Sequence, residues 1–153
     1  MNIEEGICLA IVEEIKAYNR YQKAGEQTKS DTAKALYKSL ASDEMRHRKS
    51  LVDQYLELFG ENPPEPEIPE GESMPEGIDE MLILTLAMEA EVRAFNGYKD
   101  LEKSVTDKIA KALFAKLAEE ERRHEELLNN EYLSRTGQPW QSDDLNEMML
   151  RDE

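Results

Sequence analysis

Apolar residues recur along the chain at intervals of three, four and seven, the spacing that lines one face of a helix, and four segments carry the pattern. In the first, about Ile3 to Lys29, the positions are Ile7, Ile11, Tyr18 and Tyr21. The second, about Thr32 to Phe59, carries Ala33, Tyr37, Leu40, Leu51 and Leu58. A third, from Gly77 or Ile78 to Lys103, repeats the first with Leu84, Met88, Phe95 and Tyr98. The fourth, Lys108 to Ser134, carries Ala110, Phe114, Leu117 and Leu128. Ser30 and Asp31 supply a break with an N-cap after the first helix, Gly60 a C-cap after the second, and Ser104 to Asp107 a turn after the third. Residues 61–80 hold five prolines, eight acidic residues and no basic one, the composition of an extended crossover.

Each of these stripes is interrupted by a polar residue where an apolar one is due. Glu14 fills the gap between Ile11 and Tyr18, and Glu91 the gap between Met88 and Phe95. Glu44 and His47 lie between Leu40 and Leu51, and Glu121 and His124 between Leu117 and Leu128; these are the only two histidines in the chain. The interruptions share one offset. Residues 10–51 slid onto 87–128 without a gap are identical at 15 of 42 positions, including Glu14 with Glu91, Asn19 with Asn96, Tyr21 with Tyr98, and both Glu-x-x-His strings. The sequence thus reads as an internal duplication, each half offering one glutamate and one Glu-x-x-His.

Residues three apart on a helix share a face, so each Glu-x-x-His can point both side chains inward, with Glu14 and Glu91 arriving from the other two helices. Four buried carboxylates without compensation would cost several kcal/mol each or be forced to protonate. Two divalent cations match their charge. Oxygen-rich ligation with one imidazole per metal suits iron first, with manganese or zinc as other occupants, and lacks the thiolates of a structural zinc site. The metal ligands expected are therefore Glu14, Glu44, His47, Glu91, Glu121 and His124. Glu13, Glu89, Glu119, Glu120, Glu125 and Glu126 lie off the stripes and read as solvated. Tyr21 and Tyr98 stand seven residues beyond Glu14 and Glu91, where a phenol can hydrogen-bond a ligating carboxylate of the opposite hairpin or simply fill the core. Tyr18, Tyr37, Phe95 and Phe114 read as core.

Composition narrows the partners. With 34 acidic against 19 basic residues the net charge is −15, which repels nucleic acid and anionic membrane and concentrates cations. Cys8 is the only cysteine, so no intramolecular disulfide and no Cys-x-x-Cys pair can form, which fits a cytoplasmic location. The acidic start of the chain and the lack of any apolar run near the roughly 18 residues that span a bilayer point to a soluble, unexported protein.

The strings Glu14-Ile-Lys-Ala-Tyr-Asn-Arg-Tyr21, Asp43-Glu44-Met-Arg-His47 and Glu120-Glu121-Arg-Arg-His124 resemble the motifs of the rubrerythrin and ferritin-like di-iron family, over about residues 3 to 134. The fold implied is all-α: a ferritin-like four-helix up-down-down-up bundle built from two duplicated hairpins with a long crossover between the second and third helices. It would occupy residues 1–135, with 61–77 as the crossover, and leave 136–153 as an acidic tail with a short helix at Ser142 to Met149. The resemblance implies two iron ions per chain in an oxo- or carboxylate-bridged centre that reacts with oxygen or hydrogen peroxide, and a homodimer. Two departures stand out. Rubrerythrins carry an extra glutamate three residues after the position of Glu91, which here is Ala94, and a rubredoxin module with two Cys-x-x-Cys pairs, which this chain lacks. Electrons would then come from an external donor protein. Met45 falls where bacterioferritins have their haem-ligating methionine, but one methionine on a polar face does not lead us to expect haem. The functions left in play are a rubrerythrin-like oxidoreductase, an iron-binding or storage protein without sustained turnover, and a metal-free helical interaction module.

Overall fold

The computed structural model describes residues 2–68 and 78–140. Among them are four α-helices and no strand: α1 (Ile3–Gln27), α2 (Asp31–Phe59), α3 (Glu80–Ser104) and α4 (Lys108–Thr136). The chain forms two compact units, Met1–Glu80 and Met81–Glu153. Each contains a helical hairpin with one member of 25 residues and one of 29. The expected short helix at Ser142 to Met149 lies outside the described residues.

Local chemistry sets the helix ends. The Asn2 side chain accepts a hydrogen bond from the Glu5 N–H at 3.0 Å, and Glu4 and Glu5 in the first turn complement the positive end of the α1 dipole. Ser30 caps α2 by accepting from the Ala33 N–H at 3.1 Å. At the position 77 residues later, Asp107 caps α4 by accepting from the Ala110 N–H at 2.8 Å. Both long helices end on a glycine in the left-handed region, Gly60 at φ 77° and Gly137 at φ 76°, whose N–H groups donate to Leu56 O and Leu133 O at 2.8 Å. A methyl group added at Gly60 would meet nothing within 4 Å, so its cost is backbone strain alone. Gly60→Ala should therefore destabilise by about 1 kcal/mol, as should Asp107→Ala through the orphaned Ala110 N–H, each read as a lower urea midpoint with unchanged slope.

The first unit buries Ile7, Ile11, Tyr21, Tyr37, Leu40 and Leu51, and the second Leu84, Met88, Phe95, Phe114, Leu117 and Leu128. Within the first unit the Tyr37 hydroxyl donates to Glu80 Oε2 at 2.9 Å. In the second, the Arg122 guanidinium lies 4.4 Å over the Phe95 ring, and Lys111 Nζ donates to the Glu102 carbonyl. Trp140, beyond α4, is 6% exposed; its N–H donates to Asn129 Oδ1 at 3.0 Å.

Several expected positions shift. Tyr18 is half-buried at the edge of α1, its hydroxyl accepting from Gln22 Nε2, and Ala17 takes the core position instead. In α2 the buried series runs from Leu51 through Gln54 to Tyr55, leaving Leu58 half-buried. The shift at Leu58 follows from the drift of a straight helix, about 20° per heptad, away from a strict seven-residue repeat; Tyr18 differs from its counterpart Phe95, which is fully buried. α3 begins at Glu80 and not at Gly77 or Ile78, and α4 continues past Ser134 to its Gly137 cap.

Candidate metal centre

In the first unit α1 supplies Glu14 and α2 supplies Glu44 and His47, all three buried at 2%, 1% and 0% exposure. His47 Nδ1 faces both carboxylates, 3.5 Å from Glu14 Oε2 and 3.3 Å from Glu44 Oε1. In the second unit α3 supplies Glu91 and α4 supplies Glu121 and His124, buried at 2%, 1% and 2%. There His124 Nδ1 lies 3.5 Å from Glu91 Oε1 and 3.5 Å from Glu121 Oε1. The same nitrogen thus faces the same pair of carboxylates in each unit. Within each triad one ligand atom per residue falls within 4.8 Å of the others, a span that a single metal ion can bridge.

Electrostatics follow from the burial. Desolvation acts to lower the His47 pKa, but hydrogen bonds and charge from Glu14 and Glu44 outweigh it and lift the value to about 10. Without metal, a proton on His47 takes the place of a cation between two carboxylates. Hard carboxylate oxygens with one imidazole per triad fit a divalent transition metal. The Cys8 thiol, half-buried on α1, is pushed up in pKa by burial and by Glu4, so it stays protonated and competes poorly as a soft ligand.

Tyr21 and Tyr98 are buried, at 1% and 2% exposure, two turns beyond Glu14 and Glu91 on the same helices. Met45 is 50% exposed on α2. Glu119 and Glu126 are exposed, and Glu13, Glu89 and Glu120 are half-buried.

Glu125 corrects the sequence reading. Expected on a solvated face, it is 4% exposed, and its Oε1 has no hydrogen-bond partner. Burial raises its pKa, Glu126 and Glu91 raise it further, and Arg122 opposes them. The signal was present in the sequence: Ala118, Glu121, Glu125 and Leu128 step by three, four and three, a core ladder in its own right. Weighing each glutamate by charge alone hides it.

The sequence profile of the rubrerythrin family matches residues 80–143, which include Glu91, Glu121 and His124. Comparison with curated proteins returns no match. Among solved structures, a hypothetical protein from Pyrococcus furiosus is 28% identical with a TM-score of 0.76, the match covering 92% of this chain and 94% of that one. A dodecameric thioferritin, the bacterioferritin-related protein of Bacteroides fragilis, is 19% identical with a TM-score of 0.75, covering 88% and 86%. The bacterioferritin of Rhodobacter capsulatus, described with a metal-free dinuclear site and haem iron, is 21% identical with a TM-score of 0.70, covering 87% and 86%. These likenesses extend over nearly the whole chain and make its architecture an all-α four-helix bundle of ferritin-like fold. Among the described residues no helix is long and apolar enough to cross a membrane.

Proposed function

We propose that this chain of ferritin-like fold, whose residues 80–143 match the rubrerythrin profile, belongs to the rubrerythrin and ferritin-like di-iron family and that its two triads together hold one carboxylate-bridged di-iron centre. On this reading the protein is an oxidoreductase that reduces hydrogen peroxide or oxygen with electrons from a separate donor protein. One observation carries it: two buried Glu-Glu-His sets, each with its histidine Nδ1 facing both carboxylates. Four carboxylates at that depth call for cationic charge, and the donor set favours two iron ions.

Glu14, Glu44 and His47 from one unit and Glu91, Glu121 and His124 from the other would hold the two metals, the four carboxylates supplying the compensating charge and each histidine one imidazole donor. A bound ferrous pair would supply the two electrons that, with two protons, convert hydrogen peroxide into two waters. The carboxylates hold the pair together through its change of charge, and the surrounding core limits the approach of bulk water. The buried phenols of Tyr21 and Tyr98, two turns beyond Glu14 and Glu91, would orient a ligating carboxylate by hydrogen bonding. On this reading a separate donor protein re-reduces the centre. A cytoplasmic homodimer completes the proposal.

Anaerobic loading with ferrous iron followed by peroxide should give a ferric absorbance in the wild type and none in Glu44→Ala. Equal behaviour of the two proteins would sink the redox reading. A second reading, iron binding or storage without sustained turnover, is favoured by the likeness to the two bacterioferritin-type structures. It predicts one round of slow oxidation, whereas continued peroxide consumption with a reductase and rubredoxin excludes it.

A further inference from the structure

Two arginines follow Glu121 on α4, and only the first is drawn inward. Arg123 is exposed, whereas the Arg122 side chain is 16% exposed and its guanidinium lies 4.4 Å over the ring of Phe95. Phe95 is fully buried on α3, one helical turn beyond Glu91. The contact therefore joins the two helices that supply the second triad, next in sequence to one carboxylate and one turn from the other. A guanidinium over a ring face is held there by the negative charge of the π-system, which gives the contact a direction that an apolar side chain filling the same space lacks. The first unit has neither partner. At the positions 77 residues earlier stand Met45 and Tyr18. Met45 is 50% exposed, and Tyr18 is half-buried with its hydroxyl accepting from Gln22 of its own helix. In both units the same histidine nitrogen faces the same pair of carboxylates, so the contact marks a difference in what holds the two triads.

We propose that Arg122 is a positioning residue for the second triad: its hold on Phe95 fixes Glu121 against Glu91 and leaves the α3–α4 half better prepared for a cation than the α1–α2 half. This rests on the di-metal reading above and extends it to a residue that ligates nothing. Ligands already held in place lose less freedom when they close on a metal, so the contact tightens binding at the α3–α4 position. The guanidinium charge by itself repels an incoming cation. The sign of the effect on affinity therefore tells position from charge.

Anaerobic titration of metal-free protein with cobalt(II) alone, followed by calorimetry and by the visible ligand-field bands, tests this without turnover. His47→Gln removes the imidazole donor of the first triad and His124→Gln that of the second, so each half can be titrated in turn. In the His47→Gln protein, Arg122→Met, which installs the first unit's residue, should weaken cobalt binding by roughly threefold to tenfold, the range of one cation–π contact, and change the ligand-field bands. Phe95→Leu, which keeps the guanidinium charge and removes the ring, should do the same, and the two together should weaken binding no further than either alone. Arg122→Lys, which keeps a cation for the ring, should restore part of the affinity. In the His124→Gln protein Arg122→Met should change nothing. A lower thermal midpoint with affinity and bands unchanged would make the contact structural only and overturn the proposal. Tighter cobalt binding in Arg122→Met would overturn it too, by showing that the guanidinium acts through its charge. Either result leaves the di-metal centre standing; if wild-type protein takes up no cobalt, the di-metal reading falls and this proposal with it.

Discussion

Metal-free protein given ferrous iron under an inert atmosphere should melt several degrees higher than before, and Glu44→Gln should not. A ligand bound only by the folded state stabilises it by about 2.7 kcal/mol at a free concentration one hundred times the dissociation constant. For a domain of this size each kcal/mol moves the midpoint by roughly 2–4 °C. Glu44 is 1% exposed, with Oε1 3.3 Å from His47 Nδ1, so the amide fits the same space while losing the charge that a cation needs. The metal-free variant should lose part of the stability that protonated His47 draws from its two carboxylates, so each protein is compared with and without iron. That comparison separates a metal ligand from a structural core residue: loss of a structural residue lowers both midpoints and leaves the metal-induced rise intact, whereas loss of a ligand removes the rise. Equal rises in the two proteins would show that iron binds elsewhere.

Metal affinity should climb steeply with pH. In the metal-free protein Glu14 and Glu44 lift the His47 pKa to about 10, against an ordinary value of 6.5, so near neutrality the ring carries a proton where a metal would bind. Each metal entering the α1–α2 position displaces that proton. The association constant there should rise up to tenfold per pH unit, and calorimetry in buffers of different ionisation enthalpy should register about one proton released per metal. For the metal-free protein the sign is opposite. A raised pKa in the folded state contributes stability that is fully present below about pH 6.5 and is lost as pH rises through about 10. Urea midpoints of metal-free protein should fall over that interval, and those of metal-loaded protein should hold. His47→Gln should flatten both dependences; a pH-independent affinity in the wild type would contradict the proton-for-metal exchange.

The six triad residues were legible in the sequence because each interrupts an apolar stripe and each recurs at one offset, so six weak signals reinforce one another. Ser30 and Gly60 were legible as caps because their chemistry is local. Leu58 was misplaced for a different reason: a seven-residue stripe drawn far along a straight helix drifts off the buried face. Glu125 was misjudged because a glutamate on a charged helix is ordinarily solvated, and only the neighbours packed around it decide otherwise. How two surfaces far apart in sequence enclose a side chain is not written in either one.

The economy of the two histidines has a spectroscopic consequence. Both imidazoles are buried in the triads, and the chain has no others. The aromatic imidazole region of a proton NMR spectrum should therefore contain two ring systems and no background from the surface. Line positions on either side of a metal titration would report the occupancy of each half separately, with no isotope label placed by mutation. A diamagnetic ion would shift each imidazole as its own half is filled. A paramagnetic one would broaden each imidazole as its own half is occupied.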